Sequence, residues 1–220
     1  MSEIDRAAIR DMRRSYGEAG LEESKVAKDP IAQFHSWLTE AAANAVIVEA
    51  NAMVLSTVVD SYPTSRTVLL KDVTQSGFSF FTNYESGKAE AIENNPNVSL
   101  VFPWYAMERQ VIILGTATKL PTSDSDEYFA ARPWGSQIGA WASAQSTQLE
   151  SREVLEANFA KFAAKYPEGT AVPRPDHWGG YLVAPTRIEF WQGRYSRMHD
   201  RLRYVRTTTN SDWSLTRLNP

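Results

Sequence analysis

The stretch Ala52-Met53-Val54-Leu55-Ser56-Thr57-Val58-Val59, then Asp60-Ser61-Tyr62-Pro63 and, two residues on, Arg66-Thr67-Val68-Leu69-Leu70-Lys71-Asp72-Val73, sets the texture of the chain. Two runs rich in β-branched residues flank a turn signal at Ser61-Tyr62-Pro63, which predicts neighbouring strands over Ala52 to Val59 and Arg66 to Val73. Working outward, similar runs recur at Phe78 to Thr82, Val98 to Phe102 and Gln110 to Leu120, with Gln75-Ser76-Gly77 as another turn. Close spacing with short turns predicts antiparallel hairpins, and a curled antiparallel sheet hides its edges by closing into a barrel. Further strands are expected at Tyr181 to Ala184, Arg187 to Trp191, Arg203 to Arg206 and Trp213 to Arg217, after the turn-rich stretch Pro167 to Pro175. Helical patterns fall at Ser86 to Asn94, Ser123 to Ala131 and Glu150 to Lys165. Two more precede the strands: about Asp5 to Tyr16, and one opened by Asp29-Pro30, whose Ile31, Phe34, Trp37, Leu38 and Ala41 share a face suited to a core. No repeat, low-complexity segment or linker divides the chain, so residues 1–220 read as one mainly β domain with peripheral helices.

Composition narrows the chemistry. The 220 residues contain no cysteine, which removes disulfides, thiolate nucleophiles and iron–sulfur clusters. The three histidines, His35, His177 and His199, are scattered without zinc-site spacing, and no metal is expected. A net charge of −3 offers no general attraction to nucleic acid. No apolar run approaches the roughly 20 residues a membrane span needs. Met1-Ser2-Glu3-Ile4-Asp5-Arg6 lacks the apolar core of a secretory signal, so a cytoplasmic location is expected. There is no Gly-x-Gly-x-x-Gly, no Walker loop and no recognisable Ser-His-Asp context.

Four segments concentrate polar chemistry, and each has an ordinary alternative. In Arg66 to Lys71 two cations bracket an apolar strand, with Arg66 and Leu70 expected on one face and Lys71 on the other; charges at strand ends are commonly just solvated. In Phe81-Thr82-Asn83-Tyr84-Glu85-Ser86-Gly87-Lys88 a strand runs into a helix start, a natural phosphate site, although Ser86 could simply cap the helix and leave Lys88 exposed. Tyr128 and Arg132 share a helix face and Ser136 follows a proline break, so phenol, guanidinium and hydroxyl could converge on an anion; alternatively Arg132 complements a helix C-terminus. In Phe190 to Arg201 strand alternation would align Arg197, His199 and Arg201, a row that needs an anionic partner unless it is an exposed edge.

Taken together and in order, these segments resemble the pyridoxine/pyridoxamine 5'-phosphate oxidase family. The resemblance extends through Arg13-Arg14-Ser15-Tyr16, Asp29-Pro30, Asn51 to Val54, Glu93 to Pro96, Phe102-Pro103-Trp104, Glu108 to Val111, Ser136 to Trp141, His177 to Tyr181, Ile188 to Gly193 and Arg217-Leu218-Asn219-Pro220. It implies a homodimeric split β-barrel that binds flavin mononucleotide (FMN) at the subunit interface and oxidises pyridoxamine or pyridoxine 5'-phosphate with O2. By motif match it implies flavin contacts from Arg66, Thr67, Val68, Leu69, Leu70 and Lys71, then Phe81, Thr82, Lys88, Gln110, Gln145, Ser146, Trp191 and Arg201. Substrate contacts would come from Lys71, Tyr128, Arg132, Ser136, Arg197 and His199, the last two catalytic. Residues 1–28 would form a mobile helical segment over the site and bring Arg13, Arg14 and Tyr16 to the substrate. The chain departs from the family pattern at Gly87, where arginine is common, and at Asn219, where alanine is usual.

Overall fold

The computed structural model describes residues 10, 15–17, 19–209 and 211–220. Arg13, Arg14 and most of the helix expected from Asp5 to Tyr16 lie outside them. Helix α1 (Pro30–Ala43) starts as its sequence dictates: the Asp29 carboxylate accepts the Ile31 N–H at 3.1 Å and Pro30 occupies the first turn. Its buried face, Ile31, Phe34, Trp37 and Ala41, seats in the barrel, where Phe34 meets Phe78 and Phe102 edge-on at 4.9 Å.

Strand β1 (Ala52–Val59) pairs along its whole length with β2 (Tyr62–Leu69). Asp60 and Ser61 at φ 49° and 68° form the two-residue turn whose left-handed backbone matches strand twist. Tyr62 and Pro63, expected in the turn, therefore begin the strand, and proline is tolerated because β2 is a sheet edge. The strand expected from Arg66 to Val73 is broken at Leu70-Lys71. The Leu70 N–H donates to Asn51 O on the β1 side, while the Lys71 N–H donates to Ser79 O beside β4 (Gly77–Asn83). The chain thus changes partner between two residues and resumes as β3 (Asp72–Thr74), paired to β4. Leu70 turns its side chain into the core at 5% exposure, outside β2, so it no longer shares a strand face with Arg66.

Helix α2 (Gly87–Asn94) leads to β5 (Asn97–Trp104) and β6 (Arg109–Lys119); α3 (Thr122–Ala130), α4 (Trp134–Ala142) and α5 (Arg152–Lys165) precede β7 (Trp178–Gln192), β8 (Asp200–Val205) and β9 (Ser214–Leu218). All pairings are antiparallel, in the order β2-β1-β5-β6-β7-β4-β3, with β8 and β9 branching from β7. β7 is the spine of this split barrel. One edge follows β6 from Tyr181 to Gln192; the other pairs with β4 over Trp178 to Val183 and with β8 over Arg187 to Gln192. The two strands expected here form one, because Pro185 sits at a register shift where Gly115 opposes Pro185 and Leu114 opposes Arg187. Thr186 is the extra residue, and a proline at such a bulge breaks no ladder hydrogen bond. Gly115 is required there, since a Cβ would lie 2.4 Å from Ala184 O.

A second apolar cluster, centred on Phe129, Ile138, Val172 and Trp178, fastens α3, α4 and α5 to the start of β7. The Ser61 conformation gives a test of the hairpin. An L-residue in the left-handed region costs about 1–2 kcal/mol that glycine does not, so Ser61→Gly is expected to raise stability by up to about 1 kcal/mol in urea unfolding after glycine's greater chain entropy is offset.

Candidate functional site

Where β2 ends, β4 passes into α2 and α3 turns into α4, a hollow of about 530 Å³ opens. Lys71, Thr82, Lys88, Arg132, Ser136 and Gln145 contribute its polar lining. Thr67, Val68, Leu69, Phe81 and Tyr128 also border it, so most of the first three sequence segments meet at one place. Ser86 does not cap α2 with its side chain: its Oγ donates to Asn83 O at 2.7 Å. Lys88 is not a solvated cation either. It folds back so that Nζ donates to Gln145 Oε1 at 2.6 Å, Thr82 Oγ1 at 3.1 Å and Ser86 Oγ at 3.2 Å. Burial, then the nearby Arg66 charge, hold the Lys88 pKa below its ordinary value. Arg66 lies behind the hollow, donating to Leu55 O, Thr57 Oγ1 and Thr64 Oγ1, and burial lowers its pKa too. Ser146 has φ 73° and places its Oγ 3.9 Å from where a Cβ on Gly87 would stand, at the start of α2.

The opposite wall is aromatic. Phe81 stacks on Tyr128 at 4.1 Å and on Trp178 at 5.5 Å. The Arg132 guanidinium lies over Trp178 at 4.5 Å, and its Nη1 is buried with no hydrogen-bond partner among the described residues. Burial lowers the Arg132 pKa, while Tyr128 opposes that shift. Trp178 was not singled out by the sequence motifs; its signal was the run His177-Trp178-Gly179-Gly180. None of Arg66, Lys71, Lys88 and Arg132 forms an ion pair among the described residues. Four cations without a carboxylate, beside hydroxyls and stacked rings, suit a planar ligand bearing phosphate.

The remaining residues gather elsewhere. Tyr16, Gln110 and Trp191 border a separate hollow of about 330 Å³ with Tyr105, Glu108 and Arg109. His199 packs on Trp191 at 4.7 Å and on Tyr16 at 5.4 Å. The two hollows share no lining residue. Arg197, His199 and Arg201 are not a strand row: Ser196 and Arg197, at φ 54° and 62°, make a turn that breaks the extended run before β8 begins at Asp200. Arg197 is exposed. Arg201 meets Glu189 at 2.7 Å, and Arg203 shares that carboxylate at 3.0 Å, so the row's anionic partner is internal. His199 Nδ1 accepts the Arg194 N–H at 3.1 Å, which leaves the neutral ring's proton on Nε2. Burial and the Arg197 charge both lower its pKa from 6.5. Among the described residues no three His, Asp or Glu side chains gather as a metal site.

Comparison with known proteins bears on the family and the fold. The family model described as pyridoxamine 5'-phosphate oxidase matches residues 39–166, and that described as pyridoxine 5'-phosphate oxidase C-terminal dimerisation region matches residues 178–220. The pyridoxine/pyridoxamine 5'-phosphate oxidase of Salinibacter ruber is 49% identical over 96% of this chain and 99% of its own length; that of Burkholderia vietnamiensis is 50% identical with the same coverage. Among solved structures, PhzG from Burkholderia lata, in complex with tetrahydrophenazine-1-carboxylic acid, superposes with TM-score 0.85 at 30% identity, covering 94% of this chain and all of that one.

The orphaned guanidinium predicts a trade between stability and binding. A buried unsatisfied polar group costs about 1–3 kcal/mol, so Arg132→Met should leave the ligand-free protein as stable or more stable in thermal unfolding. The same change should abolish the stabilisation that millimolar inorganic phosphate gives the parent protein.

Proposed function

Since the chain belongs to the pyridoxine/pyridoxamine 5'-phosphate oxidase family, we propose that it oxidises pyridoxamine or pyridoxine 5'-phosphate to pyridoxal 5'-phosphate with FMN and O2, releasing hydrogen peroxide, and ammonia from the amine. The observation that carries this reading is the cation group without carboxylates, above all the partnerless Arg132 Nη1. The residues present fit a flavin phosphate and a substrate phosphate: Arg66, Lys88 and Ser146 are assigned to the first, Lys71, Tyr128, Arg132 and Ser136 to the second. Bound FMN supplies a two-electron acceptor for the hydride leaving the carbon that bears the amine or hydroxyl, and O2 takes the electrons onward.

The chain's own part is positioning and charge. Lys71 and Arg132 neutralise the substrate phosphate while Tyr128 and Ser136 donate to it. Arg197 and His199 orient the reacting carbon, with the His199 proton held at Nε2. Arg201 and Arg203 share one carboxylate, Glu189, which leaves one positive charge over; that surplus supports Arg201 as a partner for negative charge on the flavin. We read the molecule as a homodimer in which the His199 cluster of one subunit completes the phosphate hollow of the other. Two facts support this: Trp191, on which His199 packs, borders a hollow separate from the one lined by Lys71 and Arg132, and Trp191, Arg197, His199 and Arg201 all fall in the dimerisation match. Residues 1–220 act as one domain, with the segment at Tyr16 covering Trp191 and His199. A second reading follows from the likeness to PhzG, whose structure holds a carboxylic acid; an enzyme of that kind would not depend on a substrate phosphate.

Oxygen consumption and peroxide release with pyridoxamine 5'-phosphate, but not with dephosphorylated pyridoxamine, test the proposal; equal rates on both would favour the second reading. Arg197→Ala should lower kcat at least tenfold with flavin content kept. The His199 pKa is held below 6.5 by burial and then by Arg197, so neutral His199 persists to acid pH and the acid limb of the rate profile should lie below 6.5. Removing Arg197 should move that limb upward, and a limb that stays put would exclude His199 as its origin.

Gly87 concerns the flavin. A Cβ there would meet Ser146 only at ordinary contact distance, 3.8–3.9 Å, so a side chain can be accommodated. An added charged hydrogen bond contributes about 1.5–3 kcal/mol. Gly87→Arg should therefore lower the FMN dissociation constant about 10- to 100-fold, measured by flavin fluorescence quenching; an unchanged constant would refute the idea that Gly87 weakens retention.

A further inference from the structure

A cluster of charges remote from the phosphate hollow is unexplained by the proposed chemistry. Arg217 on β9 reaches four acceptors on two other segments. It grips Glu23 with two parallel bonds of 2.7 Å, donates to Leu21 O at 2.7 Å, and donates to Asp200 Oδ1 at 2.6 Å. Asp200 Oδ2 in turn accepts the Leu21 N–H at 3.0 Å and Arg194 Nη1 at 3.2 Å. Both backbone groups of Leu21 are thus taken by side chains at the far end of the chain, while its own side chain is buried in the core. A second fastening lies nearer the His199 cluster, where the Gly17 N–H donates to Glu108 Oε2 at 2.7 Å. Directly before the Gly17 fastening, Tyr16 packs edge-on against Trp191 at 5.8 Å and His199 at 5.4 Å. Two glycines make the approach possible: a Cβ on Gly20 would lie 3.1 Å from Arg194 Nη1, and one on Gly193 would lie 3.0 Å from the Tyr16 ring.

We propose that Arg217, with Glu23 and Asp200, is a clasp that holds residues 15–17 and 19–23 as a strap beside Trp191 and His199, so that Arg217 and Asp200 are positioning residues for the reaction. Asp200 follows His199 directly and holds Arg194, whose N–H engages His199 Nδ1. The clasp therefore fixes the strap and the His199 ring from the same carboxylate. Planar guanidinium geometry is needed, because a lysine ammonium cannot hold Glu23 bidentately while also reaching Leu21 O and Asp200. The Asp200 end is the stronger: its side chain is 11% exposed, against 49% for Glu23. The proposal rests on the assignment of His199 to the substrate, and its consequence is a change in the fraction of molecules whose strap is docked. When only that fraction binds, the apparent substrate constant rises by its inverse.

The test uses flavin-loaded full-length protein and the variants Arg217→Lys, Arg217→Met and Glu23→Gln, the last at an exposed position that does not endanger folding. Amide hydrogen exchange at Gly17 and Leu21 reads strap docking without any substrate. Both Arg217 variants are expected to speed exchange at these two amides about tenfold, and Glu23→Gln about two- to threefold. The KM for pyridoxamine 5'-phosphate should rise in step, by at least threefold for Arg217→Lys, with the melting temperature of the barrel and the flavin content held. Unchanged exchange at Gly17 and Leu21 in Arg217→Lys and Glu23→Gln would overturn the clasp. Faster exchange with unaltered KM and kcat would overturn its positioning role. If the parent protein fails to oxidise the phosphorylated vitamer, the functional reading falls, while the exchange rates still decide whether the clasp holds the strap.

Discussion

Positive charge gathered without a counter-charge is the constraint around which the structure is arranged. Elsewhere in the described chain several cations are matched to carboxylates: Arg109 to Glu40, Arg174 to Asp126, Lys119 to Glu93, Arg201 and Arg203 to Glu189, and Arg217 to Glu23 and Asp200. In the hollow lined by Lys71, Lys88 and Arg132 none is. Lys88 is held by oxygens that carry no charge, its proton affinity reduced by burial and by Arg66. Such a group carries a cost in folding that an incoming anion relieves, and under the proposed function that cost becomes affinity for phosphate.

The barrel makes this tolerable by fixing the cations on different elements. Lys71 sits where the chain leaves β2 for β3, Lys88 in the first turn of α2, Arg132 between α3 and α4. Each of these elements is tied down elsewhere. The Lys71 N–H is bound to Ser79 O, and Gln137 Nε2 on α4 donates to Phe129 O at the end of α3. Trp178 serves both purposes, as a member of the apolar cluster beneath α3 and α4 and as the face on which Arg132 rests.

Much of this was legible in the sequence because it depended on local pattern. β1 spans Ala52–Val59 as expected, and α1 buries Ile31, Phe34, Trp37 and Ala41 as its periodicity requires. The misreadings arose where tertiary context overrides a local signal. Pro185 argued for a strand end, yet the bulge at Thr186 absorbs it. Helix α4 went unnoticed because Pro133 reads as a break; it is in fact the residue before the first turn, and Trp134-Gly135 shows no amphipathic onset. The row Arg197, His199, Arg201 failed because two left-handed residues at 196 and 197 carry no glycine to announce them. The convergence of Lys71, Lys88 and Arg132 was foreseen through family resemblance, whereas the partnerless Nη1 and the Glu189 bridge depend on packing that no motif encodes.

The spine strand gives the two clusters their relation. Before the bulge β7 pairs with β4, and this half carries Trp178 and the cation hollow; after it β7 pairs with β8, and this half carries Trp191 and leads to His199. A single polypeptide cannot fold one half of a continuous, bulged strand onto the other without breaking its shared ladder with β6. Residues that must act on one small ligand but stand on opposite halves of such a spine meet most simply through a second copy. In the proposed dimer each subunit lends phosphate-binding charge to one site and orienting side chains to another. Assembly and chemistry then select on the same surface: a substitution that loosens the β8 half of one subunit weakens a site whose cations it never touches.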